Sequence, residues 1–145
     1  IDRYMREFSG IARYMKDMKD KVRKDGYVIT IFGRRRQLPE AFSGMPQLVS
    51  QAERMAINMP VQGTSADLIK LAMIKIHDLI HEEKVEEKVK LLLNVHDELL
   101  FEVKDGFIKD WANKIKNIME NIHKLDVPLI VDSKYGNNWV EMNGI

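Results

Sequence analysis

Residues 89–103 of the chain are VKLLLNVHDELLFEV, and this stretch decides the fold class. Its two apolar runs, Val89–Val95 and Leu99–Val103, have the composition of β-strands. Only the three polar residues His96–Glu98 separate the runs, which is a connection short enough for a hairpin. The segment therefore predicts an antiparallel strand pair that carries two adjacent carboxylates at its tip.

Asp97 and Glu98 are the two anions of this tip, and they stand beside apolar strands. Placing them there costs free energy unless a cation or water compensates the charge. Magnesium prefers carboxylate and phosphate oxygens, and phosphoryl transfer commonly uses two such ions. A two-ion site takes carboxylates from more than one element, and no second set of equal quality stands out in the sequence. The alternative is an ordinary hairpin whose polar turn faces water.

The remaining elements mix helices and strands without a regular alternation, so the predicted class is α+β. Helices are predicted where apolar residues recur at three- and four-residue steps, and strands where β-branched and aromatic residues cluster. Outside the segment 46–83, the predicted elements are a helix over 1–25, a strand over 27–32, a turn at 33–34, a return strand over 35–38, a loop over 39–46, a charged connector over 82–90, a helix over 107–123 and a strand over 127–131.

Proline and capping residues divide the segment 46–83. Pro46 suits the first position of a helix, and Ser50-x-x-Glu53 has the pattern of a capping box. Pro60 is predicted to kink or end this helix, because proline lacks a backbone donor and clashes with the preceding turn. Residues 64–67 can cap a new helix that carries the rest of the segment.

A stripe of three polar side chains follows the first of these helices. Arg54, Asn58 and Gln62 are spaced four apart, which aligns them on one helical face. Their donors suit sugar oxygens and the minor-groove acceptors that every base pair presents, so they can test pair shape without selecting sequence. The alternative is a stripe that only faces water. A break at Pro60 would also remove Gln62 from the face that Arg54 and Asn58 share.

Three consecutive arginines form a basic turn. Arg34, Arg35 and Arg36 are placed by the predicted hairpin at its tip, where they would suit backbone phosphates. A basic turn that faces water is the alternative.

Composition and charge exclude several classes of protein. The 145 residues are 45% hydrophobic and 31% charged and include no cysteine, which excludes a disordered tail, a disulfide scaffold and a thiolate zinc site. No apolar run approaches the roughly 20 residues of a membrane helix, so we expect no membrane partner. Residues 1–75 carry 14 Lys and Arg against 8 Asp and Glu, whereas residues 76–145 carry 9 against 14. This asymmetry suits a protein that holds phosphates and cations in different regions, although uneven surface charge is equally compatible.

A second acidic and histidine-rich cluster invites a metal interpretation. His77, Asp78 and His81 lie within about one helical turn, and a His-Asp doublet is found in helical metal phosphohydrolases. Those enzymes need further histidines and aspartates on neighbouring helices, and His96 and His123 are not placed that way. We interpret the cluster as the exposed end of a helix.

Three strings together indicate a family. They are FGRRR at 32–36, AERMAINMPVQGTSAD at 52–67 and VHDEL at 95–99, and they are followed by VPL at 127–129 and by Gly136-x-x-Trp139. In this order they resemble the C-terminal part of a family A DNA polymerase, of the bacterial DNA polymerase I type. The resemblance covers essentially the whole chain.

The resemblance implies a subdomain assignment and a set of metal-site roles. Residues 1–47 would be the end of the fingers, and residues 48–145 part of a palm with an antiparallel sheet packed by helices. Asp97 matches a catalytic aspartate that binds magnesium, Glu98 matches an acidic neighbour with a smaller part, and His96 matches a residue near the primer 3′ end. The complete enzyme would use two Mg²⁺ ions.

The same resemblance implies DNA contacts. Arg54, Asn58 and Gln62 match residues that follow the minor groove of the new duplex, and Arg34–Arg36 would lie near the template backbone. Asn94 stands where the family usually has Gln, which shortens a side chain beside the active site. A first catalytic aspartate, a nucleotide-binding helix and a thumb have no counterpart in the chain.

We therefore expect a cytoplasmic, nucleoid-associated fragment of a DNA-directed DNA polymerase, inactive in isolation. Its expected partners are primer–template duplex DNA, deoxynucleoside triphosphates and the N-terminal part of the polymerase, which we expect to precede Ile1. Two alternatives remain open at this stage. They are a non-catalytic duplex-binding module and a metal-dependent phosphohydrolase that uses His77, Asp78 and His81.

Overall fold

The computed structural model describes residues 2–145, with side chains from Arg3 onward. Ile1, the first residue of the predicted N-terminal helix and fingers segment, lies outside the described residues. The chain divides into two compact units, the first ending at Ser65 and the second comprising Ala66–Ile145. The mixture of helices and small antiparallel sheets confirms the predicted α+β class.

The first unit begins with two helices rather than one. Helix α1 spans Asp2–Glu7 and helix α2 spans Ser9–Asp25, with the break at Phe8. Ser9 and Gly10 follow the break, and both residue types are weak helix formers. Gly26 ends α2 as predicted, with a φ of 71° that glycine adopts without strain.

A short hairpin follows α2. Strand β1, Tyr27–Ile29, pairs antiparallel with β2, Arg35–Gln37. The predicted strand over 27–32 is therefore too long, because Thr30 begins the turn: its N–H donates to the Arg34 carbonyl at 3.0 Å, and its carbonyl accepts from Gly33 at 2.9 Å. The predicted loop over 39–46 contains a 3₁₀ helix, Pro39–Phe42.

Helix α3 is continuous over Pro46–Glu82, with Pro60 in its interior. Its start confirms Pro46 as the first helical residue, whereas the predicted end at Pro60 and both predicted caps inside the segment are wrong. The predicted kink at Pro60 stays a prediction. Residues 64–67 do not cap a new helix, and Ser50–Glu53 cannot be a capping box because it lies inside the helix. Pro60 removes the donor that the Ala56 carbonyl would have received, and neighbouring groups support this part of the helix instead.

One of those groups is a tyrosine on α2. The Tyr14 hydroxyl donates to the Ile57 carbonyl at 2.8 Å, and burial raises the pKa of this phenol, which keeps the donor protonated. The first unit has its own hydrophobic core. It is formed by Val22, Val28, Leu38, Ala41, Ala52 and Ala56, with Met18, Met55 and Met59 packed against it.

The second unit contains the end of α3, a long hairpin and helix α4. Strand β3 spans Val89–Val95 as predicted, and β4 spans Glu98–Val103, one residue longer than predicted at its start. Helix α4, Ile108–Glu120, is shorter than the predicted helix over 107–123. The core of this unit is formed by Ala72, Ile76, Ile80, Val85, Val89 and Trp111.

The predicted strand over 127–131 is wrong, because these residues are irregular. Val127 and Ile130 are 66% and 79% exposed, so their β-branched side chains do not pack as in a sheet. The C-terminal segment instead forms two short strands, β5 at Lys134–Tyr135 and β6 at Asn143–Gly144, which pair antiparallel. No helix within residues 2–145 has the length and apolar character needed to cross a bilayer.

Candidate metal site and nucleic-acid contacts

The tip of the β3–β4 hairpin is a two-residue turn. Val95 pairs with Glu98, which leaves His96 and Asp97 between the strands. His96 has a φ of 57°, in the left-handed region. A positive φ at the first turn position is typical of a type II′ turn, where glycine is usual, and histidine tolerates it better than most residues. The turn therefore presents Asp97 and Glu98 in succession at the end of a rigid strand pair.

A bulge lies in β3 on the approach to this turn. Leu91 pairs with Phe101 and Leu93 pairs with Leu100, so Leu92 is an extra residue on one strand only. Leu92 and Leu93 are 50% and 49% exposed. A bulge shifts the alternation of side chains between the two faces, which affects every residue from here to the turn.

Both tip carboxylates are exposed and available for a ligand. Among the residues that the structure describes, Asp97 and Glu98 have no side-chain hydrogen bond or ion pair. They line an open cavity of about 660 Å³ between β4, α4 and the C-terminal segment. Apolar side chains such as Phe101, Ile115 and Trp139 line the same cavity. The predicted tip thus faces a concave surface with room for an ion.

The chemistry of these donors fits magnesium, because carboxylate oxygens are its preferred protein ligands. Asp97 and Glu98 nevertheless form only part of a site. Within residues 2–145, no group of three or more His, Asp or Glu side chains is arranged to hold a metal ion. The hairpin therefore offers one set of oxygens that would need completion by substrate or by another segment.

Asn94, one residue before the Val95–Glu98 pair, is turned toward α3. Its Nδ2 lies 3.4 Å from the Met73 sulfur, a contact within the range of a weak hydrogen bond. The Asn94 side chain is exposed.

The polar stripe on α3 is aligned as predicted, because the helix does not end at Pro60. Arg54, Asn58 and Gln62 are all exposed. Arg54 also donates from Nη1 to the Ser50 hydroxyl at 3.0 Å, which orients its guanidinium along the helix. The stripe therefore belongs to the first unit, as a row of donors open to solvent.

The three consecutive arginines are not at the tip of their hairpin, since the tip is the turn Thr30–Gly33. Each of them contacts a protein group. Arg34 Nη2 donates to the Gly63 carbonyl at 2.8 Å, the Arg35 guanidinium lies 4.0 Å from the centre of the Tyr27 ring, and Arg36 Nη2 lies 3.9 Å from the Met55 sulfur. Their contact with phosphates stays a prediction.

Glu53 has a structural role that was not predicted from the sequence. Its carboxylate is almost buried and accepts from Arg23 Nε at 2.7 Å, with Lys19 Nζ at 3.7 Å. These contacts join α2 to α3. A signal was present, because Lys19 and Arg23 are four residues apart on one helical face, and Glu53 is the one acidic residue between positions 41 and 66.

At the end of α3, the side chains that the structure describes include no group of three arranged to hold a metal ion. His77 and His81 make an edge-to-face contact with their ring centres 4.3 Å apart, and His81 Nδ1 lies 2.7 Å from Glu86 Oε1. The Glu86 backbone N–H and the His81 contact lower the pKa of the Glu86 carboxyl. His77, Asp78 and His81 are exposed, which agrees with an exposed helix end.

The chain is similar to known proteins along almost its whole length. The model of the family "DNA polymerase family A" matches residues 1–141. DNA polymerase I of Mycobacterium tuberculosis is 41% identical over 139 residues, which are 96% of this chain and 15% of that polymerase. DNA polymerase I of Rhizobium leguminosarum is 43% identical over 145 residues, which are 97% of this chain and 14% of that polymerase.

A solved structure resembles the fold as well. It is the polymerase domain of Pol1 from M. smegmatis in complex with DNA primer-template and dNTP, with a TM-score of 0.83 and 44% identity. The likeness covers 88% of this chain and 22% of that chain. The chain thus spans about one seventh of the curated relatives named above.

Proposed function

We infer, from the premise that this chain belongs to DNA polymerase family A, that it is part of a DNA-directed DNA polymerase that extends a primer 3′ end. The observation that carries the proposal is the β3–β4 turn, whose two carboxylates are exposed and without a partner among the described residues. We assign residues 1–47 to the end of the fingers and residues 48–145 to the palm.

Asp97 and Glu98 would hold magnesium, with Asp97 as the main ligand. When bound, two magnesium ions make the primer 3′-hydroxyl more acidic and stabilise the departing pyrophosphate. The residues of this chain supply oxygens at a fixed place, because a two-residue turn on paired strands leaves Asp97 little freedom. Further carboxylates would come from the N-terminal part of the polymerase, and this chain alone would be inactive.

The proposed partners are primer–template DNA and deoxynucleoside triphosphates, which the resembling Pol1 structure contains. Arg54, Asn58 and Gln62 would donate to minor-groove acceptors of the new duplex, since these acceptors occupy similar places in all base pairs. His96 would lie beside the primer end. Arg35 and Arg36 would add charge near the template strand, and the protein would act in the cytoplasm on the nucleoid.

Replacement of Asp97 tests the proposal. In the polymerase that carries this chain, Asp97→Ala should lower single-turnover primer extension by on the order of a thousandfold, because a metal ligand is lost. Duplex affinity should change little, since the carboxylate contributes no attraction to phosphate. Rapid-quench extension and fluorescence anisotropy measure the two quantities.

Asp105→Ala is the matched control, because Asp105 is an exposed aspartate beyond the opposite end of the same hairpin. It should extend primers at the parent rate. Near-normal extension by Asp97→Ala with unchanged duplex binding would refute the metal role and leave the chain as a non-catalytic duplex-binding module. The phosphohydrolase alternative requires instead that hydrolysis be lost on His77→Ala and retained on Asp97→Ala.

A further inference from the structure

Gly63 occupies a position on α3 that has no space for a side chain. A Cβ there would lie 2.6 Å from Thr30 Cγ2, 3.2 Å from Arg34 Nη2 and 3.4 Å from Met59 Cε. The Gly63 carbonyl accepts the hydrogen bond from Arg34 Nη2 at 2.8 Å. The tip of the β1–β2 hairpin therefore rests directly on the helix backbone at this residue.

The next residue on α3 is bonded to the same hairpin. The Thr64 hydroxyl donates to the Pro60 carbonyl at 2.6 Å and accepts from the Ile31 backbone N–H at 3.3 Å. Two hydrogen bonds thus join the hairpin to the helix, one at Gly63 and one at Thr64. These two residues directly follow Gln62 in the sequence.

This part of α3 needs external support. Pro60 deprives the helix of one internal hydrogen bond and crowds the preceding turn. The direction in which Gln62 leaves the helix therefore depends on contacts made by Gly63 and Thr64 with the hairpin. Gln62 itself is exposed, whereas Gly63 beside it is buried, so the hairpin holds one face of the helix while Gln62 lies on another.

We propose that Arg34 is a positioning residue: through the Gly63 carbonyl it fixes the helix segment that presents Gln62 to the minor groove, and it is not a phosphate ligand. The proposal rests on the proposed function, because it assumes that Gln62 contacts duplex DNA. It reassigns Arg34, which its place among three consecutive arginines had associated with the template backbone.

Two properties distinguish positioning from phosphate binding. A lost phosphate contact weakens duplex affinity and reduces the slope of log affinity against log salt by about 0.9. A lost positioning contact leaves that slope unchanged and impairs the proposed contact of Gln62 with the minor groove. Extension from a mismatched primer end should be most sensitive, because a distorted end depends more on each remaining contact.

The experiment compares Arg34→Ala, Gly63→Ala, Gln62→Ala and the double variant Arg34→Ala/Gln62→Ala in the polymerase that carries this chain. Arg13→Ala is the control for charge, since Arg13 is an exposed arginine on α2 without a hydrogen bond or ion pair among the described residues. The readouts are the ratio of matched to mismatched extension and the salt dependence of duplex binding.

We expect each single variant at 34, 62 and 63 to raise the matched-to-mismatched ratio by about fivefold, the effect of one hydrogen bond. The double variant should equal Gln62→Ala, because the two residues act through one contact. Gly63→Ala is informative because it removes no charge. Arg34→Lys, which keeps the charge with less reach, should resemble Arg34→Ala and serves if Gly63→Ala does not fold.

Two results would overturn the positioning role in favour of a phosphate contact. One is an additive effect in the double variant. The other is a reduced salt slope for Arg34→Ala together with parent-like behaviour of Arg34→Lys. If Gln62→Ala leaves the ratio at the parent value, the proposed minor-groove role of Gln62 fails, and the positioning proposal fails with it. If Gln62→Ala raises the ratio and Arg34→Ala does not, the positioning proposal alone fails.

Discussion

In the β1–β2 hairpin, Arg34, Arg35 and Arg36 each contact a carbonyl, an aromatic ring or a sulfur atom within the first unit. In the turn of the β3–β4 hairpin, Asp97 and Glu98 contact no such group among the described residues. The sequence presents both as clusters of like charge on a hairpin. The structure gives them opposite surroundings.

The difference shows how a charged cluster can be assigned before a ligand is seen. Where a charged group already contacts protein groups, a ligand must compete with those contacts. A carboxylate without protein partners has its oxygens free to bind a cation. The first unit therefore uses charge for internal contacts, whereas the β3–β4 turn keeps its charge available.

The largest expected effect on stability concerns Glu53, a buried carboxylate that pairs with Arg23 and Lys19. Glu53→Ala should lower the free energy of unfolding by about 2 kcal/mol, because Arg23 and Lys19 lose a common acceptor. Asp97→Ala should change it by less than about 0.5 kcal/mol, as expected for an exposed side chain without partners. Urea unfolding followed by circular dichroism measures both.

Glu7→Ala, an exposed glutamate at the end of α1, is the control for Glu53 and should behave like Asp97→Ala. The comparison between the units breaks down if Asp97→Ala costs as much stability as Glu53→Ala. In that case the carboxylate at the turn would have a structural role in the hairpin.

A smaller effect is expected at the turn itself. His96→Gly should raise the free energy of unfolding by about 0.5–1 kcal/mol, because glycine adopts a φ of 57° without the strain of a side chain, although it also loosens the unfolded chain. Primer extension should fall as well, because the proposed place of this imidazole is beside the primer end. Parallel denaturation and extension assays measure the two changes.

His96→Asn separates the two contributions, because asparagine also tolerates the left-handed region but lacks the ring. It should match the parent in stability and the glycine variant in extension. If stability and extension fell together in both variants, the histidine would serve the fold of the turn rather than catalysis.

The smallest effect concerns Glu86 at the end of α3. Its backbone N–H, and secondly His81, lower the pKa of this carboxyl, so its contribution to stability is present above the ordinary glutamate pKa and is lost as the pH falls through the lowered value. An NMR titration should find the pKa of Glu86 below its ordinary range. In His81→Ala it should rise only part of the way, because the backbone donor remains.

A metal-binding role for His81 would give the opposite result. Added Mg²⁺ or Zn²⁺ would then displace the Glu86 contact and shift the His81 ring signals at low micromolar concentration. The structure leads us to expect no such shift, since His81 Nδ1 already lies 2.7 Å from the Glu86 carboxylate.

The strands of the long hairpin were predictable because their signal is local. β3 begins and ends where its apolar run does, and the turn needed only His96 and Asp97. The stripe on α3 was predictable from its spacing of four. The DNA and metal roles proposed for these residues did not follow from the pattern alone, and they rest on resemblance to the polymerase family.

The errors arose where distant residues override a local rule. Proline breaks helices in isolation, but here the Tyr14 hydroxyl and the hairpin contacts of Arg34 and Thr64 support the helix on both sides of Pro60. Residues 127–131 have strand-forming side chains, yet a strand requires a neighbour to pair with, and local composition cannot show whether one is present.

Leu92 is the extra residue of β3. Because of it, the orientation of the turn depends on the number of residues in this strand. Removing it would restore plain one-to-one pairing, and the residues on one side of the deletion would exchange their inward and outward directions. A chain shortened there would keep Asp97 and Glu98 but change the faces of the hairpin on which they lie. Variants that delete one leucine and reinsert another elsewhere in β3 would show how strictly the orientation of the turn depends on the number of residues in this strand.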